Sequence, residues 1–512
     1  MKPRVILLPL LCLSFLSACT SPQKGSQPIP SSEDTSVLSS DTSAEDTSIA
    51  TSENTSVSSS EDSSPSGPME YARDPRDESQ AANQTWLDYI GGIDDAWEHY
   101  RGDGVTIAVI DTDFDCSHSE FKNEDGSSKI SPLSASFSAS GTKVTTTVGP
   151  NWTYGGESHG TFCAAMAAAS CTGQGTVGVA PNAGLMLLKT DARPLSICEA
   201  FRYAADNGAR VITISIGSYA DGGGDLDRQG ADLTTVFNDS VAYAYNKGVV
   251  VCSAAGNGGL ESRPTEYTYP GATPLVIGCA GLADASRNSL WSGTSYNSSS
   301  SYQFCDVFAP AENMYNACSY VDQGTKYLYD GGWNGTSFAS PQVAGAAALY
   351  FQKNPTATNA DFERDLYASC DKVDPAANTG HGALNIARLL GVEQKQKIIY
   401  FQDASWWRSD SARSSLFAWN QAGTVGNADY PGVVMTKVST GLWRATIDGS
   451  RFDYMMFVRV GASSMEDWGA KTVDIPVCSF SSKRNLYTIS STSAAWTSQG
   501  KLVQGNFSHY AG

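Results

Sequence analysis

Asp111 closes the apolar run Val105-Thr-Ile-Ala-Val-Ile-Asp111-Thr, the pattern of a buried strand whose carboxyl end carries a polar group. In an open α/β sheet such strand ends are where sites assemble, although an aspartate there also serves to cap a turn. His159, one of five histidines, begins the Ala-rich stretch His159-Gly-Thr-Phe-Cys-Ala-Ala-Met-Ala-Ala-Ala, which reads as a buried helix. A histidine on a rigid helix start is well held for proton transfer; the alternative is a histidine satisfied within the core. Ser337 lies in Gly335-Thr-Ser337-Phe-Ala-Ser-Pro341-Gln-Val-Ala-Gly345, a glycine turn opening a helix of small residues. That placement aims the helix N-terminus and the Ser337 N–H at an acyl oxygen, where negative charge develops during attack by a hydroxyl. Asn257 follows the buried run Val249-Val-Val-Cys-Ser-Ala-Ala-Gly. It offers an amide donor to the same oxygen, or it is a turn residue suited to left-handed geometry.

The elements that must position these groups are short strands alternating with helices between about residues 70 and 390. Val105 to Asp111, Leu185 to Lys189, Val211 to Ile216, Val249 to Ala255 and Leu275 to Ala280 are rich in Val and Ile and too continuous to be half-exposed. The alternation predicts an α/β fold, a parallel sheet with helices on both faces. One helix has a Ser196/Glu199 capping box, an apolar face of Ile197, Ala200, Phe201 and Ala204, and a stop at Gly208. Cys163, Cys252, Cys279 and Cys305 fall inside buried elements as small hydrophobes, which predicts several free thiols, with Cys305–Cys318 the disulfide to test first. No Cys-x-x-Cys or His-x-x-x-His spacing indicates a metal centre.

Taken together, the order Asp111, His159, Asn257, Ser337 and the motifs Val-Ile-Asp111-Thr, His159-Gly-Thr, Ala-Ala-Gly-Asn257 and Gly-Thr-Ser337-Phe-Ala-Ser-Pro341 resemble the subtilisin-like serine proteases. Trp86-Leu-Asp-Tyr-Ile-Gly-Gly, Val177-Gly-Val-Ala-Pro181, Val307-Phe-Ala-Pro310 and Gly380-His-Gly-Ala-Leu-Asn385 extend the likeness over residues 70–392. The resemblance implies Ser337 as nucleophile, His159 as general base, Asp111 as its orienting carboxylate, and Asn257 with the Ser337 N–H as oxyanion donors. It also implies that Ser215-Ile216-Gly217 pairs with extended substrate. No cofactor is required, and protein or peptide substrates follow. Asp113 departs from the glycine usual after Asp-Thr. The acidic loop Asp221-Gly-Gly-Gly-Asp225-Leu-Asp227 is a candidate for structural calcium or a solvated loop.

The chain has 512 residues and a formal charge of −19, enough to bury a sizeable core and of the wrong sign for nucleic acid. Lys2 and Arg4 precede an apolar run ending Leu16-Ser17-Ala18-Cys19, which resembles a bacterial lipoprotein signal (residues 1–19) with lipidation at Cys19. The expectation is therefore a lipid anchor in a bacterial cell membrane, facing outward. Residues 20–69 are Ser, Thr, Asp and Glu with eight acids against Lys24, the composition of a disordered tether and not of a folded inhibitory prosegment. From about residue 396 to 512, short alternating runs (Val433 to Val438, Leu442 to Ile447, Tyr454 to Val460) and many aromatics predict an all-β sandwich. Trp406-Trp407, Leu416-Phe-Ala-Trp419-Asn, Tyr430-Pro-Gly432 and Lys471-Thr-Val-Asp474 resemble starch-binding carbohydrate modules, with Phe417, Trp419 and Tyr430 as glycan-stacking candidates or simply core aromatics. Two rival functions share this pattern: a surface glycan-binding lipoprotein whose protease fold is degenerate, and an esterase or amidase acting on small substrates.

Overall fold

The Ile-Ala-Val-Ile run before Asp111 is apolar at every position because both faces of its strand are covered. The computed structural model describes residues 71–511, except 151, 153–158, 222–232, 260–265, 285, 298–302, 374–378, 421, 490–495 and 498–499. Cys19, the tether and the Gly222–Asp227 part of the acidic loop lie outside the described residues.

The strands in chain order are β1 (Thr106–Asp111), β2 (Ala135–Ser140), β3 (Lys143–Val148), β4 (Gly184–Thr190), β5 (Val211–Ile214), β6 (Ser218–Asp221) and β7 (Val250–Ala254). They continue with β8 (Glu266–Tyr269), β9 (Ile277–Leu282), β10 (Val307–Pro310), β11 (Met314–Asp322), β12 (Thr325–Trp333) and β13 (Gly382–Ala383). The central sheet runs β13-β10-β9-β7-β5-β1-β4-β2-β3. It is parallel throughout except for β3, which returns antiparallel along β2. The chain leaves β1 for β2, returns through β4 and crosses to β5, so the strand order reverses at β1. A cleft opens at the carboxyl ends on either side of such a switch.

The helices are α1 (Ile93–Trp97), α2 (His159–Ala168), α3 (Pro194–Asp206), α4 (Leu233–Asn246), α5 (Ala339–Lys353), α6 (Asn359–Ser369) and α7 (Ile386–Leu389). Ile197 and Phe201 of α3 and Phe237 and Val241 of α4 share a buried cluster with Ala108, Ile110, Ile212 and Ile214. Thr213, whose side chain alternates with those of Ile212 and Ile214, meets Ser340 of α5 at 2.8 Å, so α5 covers the opposite face. There α5 packs beside α2. Gly160 is required on α2, because a Cβ would lie 2.1 Å from the Asp113 carbonyl oxygen. The parallel sheet with helices on both faces is as the sequence predicts.

Two local expectations are corrected. Pro194, with φ suited to a first helical turn, starts α3 ahead of Ser196, whose hydroxyl is buried without a hydrogen-bond partner and caps nothing. A capping box does occur, at Thr358 and Asp361 of α6. Cys305 and Cys318 are not bonded: all ten described cysteines are free, and the Cys305 thiol donates to the Ser295 carbonyl at 3.5 Å.

Beyond Gln396 the described elements are strands, apart from two 3-10 turns at Ser409–Ser411 and Val477–Ser479. One sheet runs Thr436–Ser439, Leu442–Asp448, Gln396–Gln402, Leu486–Ile489, Gly505–Ser508; the other is built around Arg413–Trp419, Tyr454–Val460 and Asp467–Thr472. Phe401 of the first stacks on Phe457 of the second, ring centres 4.2 Å apart, within a core that includes Trp407, Leu416 and Tyr487. The predicted strand Val433 to Val438 is in fact two strands, one in each sheet, parted where Met435 turns into that core.

Candidate active site

Asp111 is the last residue of β1 and fully buried; its Oδ1 accepts the Thr112 N–H at 2.8 Å. His159, first residue of α2, places Nδ1 2.9 Å from Asp111 Oδ2 and 3.0 Å from Oδ1. Burial disfavours the imidazolium, but the Asp111 carboxylate outweighs it and raises the His159 pKa well above the ordinary value. The same contact selects the tautomer with hydrogen on Nδ1, leaving Nε2 as the base.

Ser337 stands in a 3-10 turn, Thr336–Phe338, that leads into α5. Its hydroxyl donates to the Ser215 carbonyl at 3.1 Å, while the Ser215 hydroxyl donates back to the Ser337 carbonyl at 2.7 Å. This reciprocal pair fixes the Ser337 backbone to the segment following β5. Residues 215–217 lie between β5 and β6 outside any ladder, with the Ser215 carbonyl taken up by the Ser337 hydroxyl. Ile216 packs on the core beneath them. Gly217 is pressed on the Tyr269 carbonyl, 2.4 Å from where a Cβ would sit.

Asn257 follows β7 and is exposed. Thr336 engages its amide oxygen twice, through N–H at 3.0 Å and hydroxyl at 2.9 Å, which fixes the orientation of the side-chain amide. Asn257 Nδ2 and Ser337 N both lie 3.7 Å from the point a Cβ on Gly335 would occupy. Two nitrogen donors therefore border one small space beside Gly335, as a tetrahedral oxyanion would require.

Several participants escape sequence reasoning. The Cys163 thiol, one helical turn after His159, lies 3.9 Å from His159 Nδ1 and 3.5 Å from the Ser337 carbonyl, so it is wedged between base and nucleophile backbone. Only its i, i+4 spacing from His159 signalled this. Asp113, the departure from the family pattern, accepts from the Phe114 N–H at 3.0 Å and pairs with Lys189 at 3.3 Å, so its charge is neutralised by a side chain from β4. Thr336, which orients Asn257, was part of a motif but had no assigned task.

Residues 102–383 match the subtilase family, Peptidase S8. The chain belongs to the subtilase family. It is a subtilisin-like serine endopeptidase. Subtilisin DY of Bacillus licheniformis is 29% identical over 292 residues, spanning 56% of this chain and 91% of that protein. A subtilisin of Bacillus pumilus is 31% identical over 292 residues with the same coverage. Among solved structures, the epidermin leader peptide processing protease of Staphylococcus aureus is 21% identical with a TM-score of 0.49, covering 62% of this chain and 81% of that one. Fervidolysin of Fervidobacterium pennivorans, 21% identical with a TM-score of 0.47, covers 75% of this chain and 56% of that one.

Calcium is the inorganic group for which this subtilase's residues can be tested. Around the loop 170–176, Glu78 Oε2, Glu120 Oε2, Ser170 Oγ and Thr176 Oγ1 are buried without hydrogen-bond partners. Four oxygens are short of the six to eight that calcium takes, and among the described residues the one cluster of three metal-ligating His, Cys, Asp or Glu side chains is Asp111, His159 and Cys163, so these oxygens are not assigned to an ion. Burial pushes the Glu120 carboxyl up to about 8, even with the Tyr329 hydroxyl donating to it at 2.6 Å.

The glycan-stacking candidates do come together. Phe417 and Trp419 stack at 5.2 Å, and Tyr430 meets Phe417 edge-on at 5.4 Å. Phe417 and Trp419 are half-buried on the side of their strand away from the sandwich core, and Tyr430 is 46% exposed.

Proposed function

We propose that this subtilase cleaves peptide bonds through an acyl-enzyme on Ser337. The Ser337 hydroxyl turns from the Ser215 carbonyl toward His159 Nε2 and attacks the scissile carbonyl while His159 takes its proton. The carbonyl oxygen, now negative, sits between Asn257 Nδ2 and Ser337 N. Asp111 balances the imidazolium, which then gives its proton to the leaving amine; water, deprotonated by the same nitrogen, releases the acid. The observation that carries this reading is the buried Asp111–His159 pair, together with Asn257 and Ser337 nitrogens that border one space beside Gly335. The test is peptide release from an unfolded protein by the full-length chain beside Ser337→Ala, read by mass spectrometry. Release of equal extent from both would refute the assignment, and labelling of Ser337 by a fluorophosphonate checks it independently.

The chain's first 19 residues support a lipid anchor at Cys19 on the outer face of a bacterial membrane, which puts the protease among extracellular proteins. Incorporation of a labelled fatty acid that is lost in Cys19→Ser tests it. The gathering of Phe417, Trp419 and Tyr430 on one surface supports a glycan-stacking role for the C-terminal sheets, because ring faces pair with sugar C–H surfaces. Retention on insoluble starch that disappears in the triple alanine variant is the expected result; retention unchanged would refute it.

A further inference from the structure

The hairpin β11–β12 stands beside the catalytic helix and has no part in the chemistry above. Its place follows from the direction of the reaction. With the acyl side of a substrate along Ser215–Gly217 and the oxyanion between Asn257 and Ser337, the leaving amine must lie at His159, which protonates it. The residues beyond the scissile bond therefore pass over the start of α2 and whatever packs against it, and β11 packs against α2.

A continuous row of rings leads outward from the imidazole. The His159 ring lies 6.0 Å from Phe338; Trp333 lies 6.2 Å from Phe338 and stacks on Phe162 at 5.0 Å. Tyr320 lies 6.3 Å from Trp333 and stacks on Tyr327 at 5.0 Å, 13° from parallel. The inner rings are buried, whereas Tyr320 is half-buried and Tyr327 is 37% exposed.

The hairpin is held rigidly. Ser319 donates to Asp115 at 2.6 Å, His118 Nε2 meets the Leu328 carbonyl at 3.1 Å, and Tyr329 donates to Glu120 at 2.6 Å. Asp330 Oδ2 accepts from both the Tyr320 hydroxyl (2.6 Å) and the Trp333 indole N–H (3.1 Å). The Tyr320 and Trp333 polar tips are thus tied back, and the outward part of the surface is the Tyr320–Tyr327 stack, held in place before any ligand arrives.

We infer that this hairpin sets substrate preference on the leaving side: Tyr320 and Tyr327 receive an aromatic or large aliphatic side chain two to four residues beyond the scissile bond. An extended peptide advances about 3.3 Å per residue, so those positions reach the outer rings. The inference rests on the acyl-enzyme reading above.

The test uses the full-length enzyme and two kinds of substrate with one common acyl side. Quenched fluorescent peptides carry Phe, Leu, Ser or Gly at each of the second to fourth leaving-side positions; a p-nitroanilide has no leaving-side residues. We expect kcat/KM about tenfold higher for Phe or Leu than for Ser or Gly at one of these positions. In Tyr320→Ala/Tyr327→Ala that ratio should fall to about two, with anilide turnover unchanged, while Tyr320→Phe/Tyr327→Phe should keep the preference. No leaving-side preference in the parent, or a preference that survives the alanine pair, would overturn the inference. So would an equal loss on peptides and anilide, which would make the hairpin a support for His159. A parent that hydrolyses neither substrate would instead strike the catalytic reading itself.

Discussion

Glu120 offers the sharpest quantitative test of how this fold is held. It is 1% exposed, and burial lifts its carboxyl to about 8 against an unfolded value of 4.5. Between those two pH values the folded chain keeps a proton that the unfolded chain has lost. Stability from this group is therefore greatest at acid pH, declines as pH rises from about 4.5 to about 8, and levels off above. At about 1.4 kcal/mol per pH unit, the decline between pH 5.5 and 7.5 is about 2.7 kcal/mol. Lys129, buried and lowered to about 7 by burial, has the opposite sign above pH 7, because there the unfolded chain alone remains charged. Comparing Glu120→Gln with its parent removes the burial part of that effect, which both proteins share; only the pull of the Glu120 carboxylate on Lys129 differs between them. The neutral amide keeps the acceptor for Tyr329 but does not titrate. With an unfolding entropy of about 0.9 kcal/mol/K for roughly 440 folded residues, the melting temperature of Glu120→Gln relative to the parent should rise by about 3 °C over this pH range. The measurement is thermal unfolding in the Ser337→Ala background, to prevent self-cleavage, with a chelator present. A melting-temperature difference independent of pH would refute the buried proton.

Four further outcomes follow from the site and its supports. Asp111→Asn should lower kcat about 10⁴-fold and move the acid limb of kcat/KM to lower pH, since the carboxylate is what raises the His159 pKa; an unmoved limb would assign that rise to another group. Asn257→Ala should cost about 10²–10³ in kcat with little change in KM, the amount one oxyanion donor supplies in subtilisin, and an equal loss shared with KM would argue for substrate binding instead. A small methanethiosulfonate that reaches Cys163 should abolish activity by forcing bulk between His159 and the Ser337 carbonyl, whereas Cys163→Ala should be indifferent to the reagent. Lys397→Met should destabilise the protein by about 3–5 kcal/mol, because Asp95, 1% exposed and 2.9 Å from the ammonium, loses its cation; adding Asp95→Asn should recover most of the loss in denaturant unfolding.

The sheet was legible because a strand covered on both faces must be apolar at nearly every position: the runs ending at Asp111, Lys189 and Ala255 match β1, β4 and β7 within two residues at either end. Asp111, His159, Asn257 and Ser337 stand out in the sequence because each lies where such a run or a small-residue helix meets a turn, and the fold brings Asp111 to His159 and Asn257 to Thr336 beside Ser337. What stayed hidden depends on partners distant in sequence. Asp113 reads as an anomaly until Lys189, 76 residues away, is brought to its side. Glu120 sits in a Ser-Glu-Phe stretch that looks like surface and is buried only because the loop 170–176 and Tyr329 close over it. Ser196 looked like a cap because the motif is local, yet Pro194 set the helix start two residues earlier. Cys163 shared its small-apolar pattern with every other residue of α2, so its contact with the catalytic pair left no trace in periodicity.

The C-terminal sheets are joined to the protease through charges that neither part could bury alone. Asp88, Asp94 and Asp95 lie in the segment leading into and forming α1, and all are under 9% exposed. Arg76 pairs with Asp88 at 3.0 Å and Asp94 at 2.6 Å from within that segment. From the sheets come Arg484 to Asp88 at 2.6 Å, Lys397 to Asp95 at 2.9 Å and Ser481 to Asp94 at 3.3 Å. Removing the sheets would leave three acids facing one arginine in a place shaped to exclude water, which is costly even for partly solvated carboxylates. The other side of the same segment braces the protease: Trp97 donates to the Val179 carbonyl at 2.8 Å, and Trp86 donates to the Tyr315 carbonyl of β11 at 3.0 Å. The sheets are therefore a structural part of the enzyme and not a module swinging on a linker.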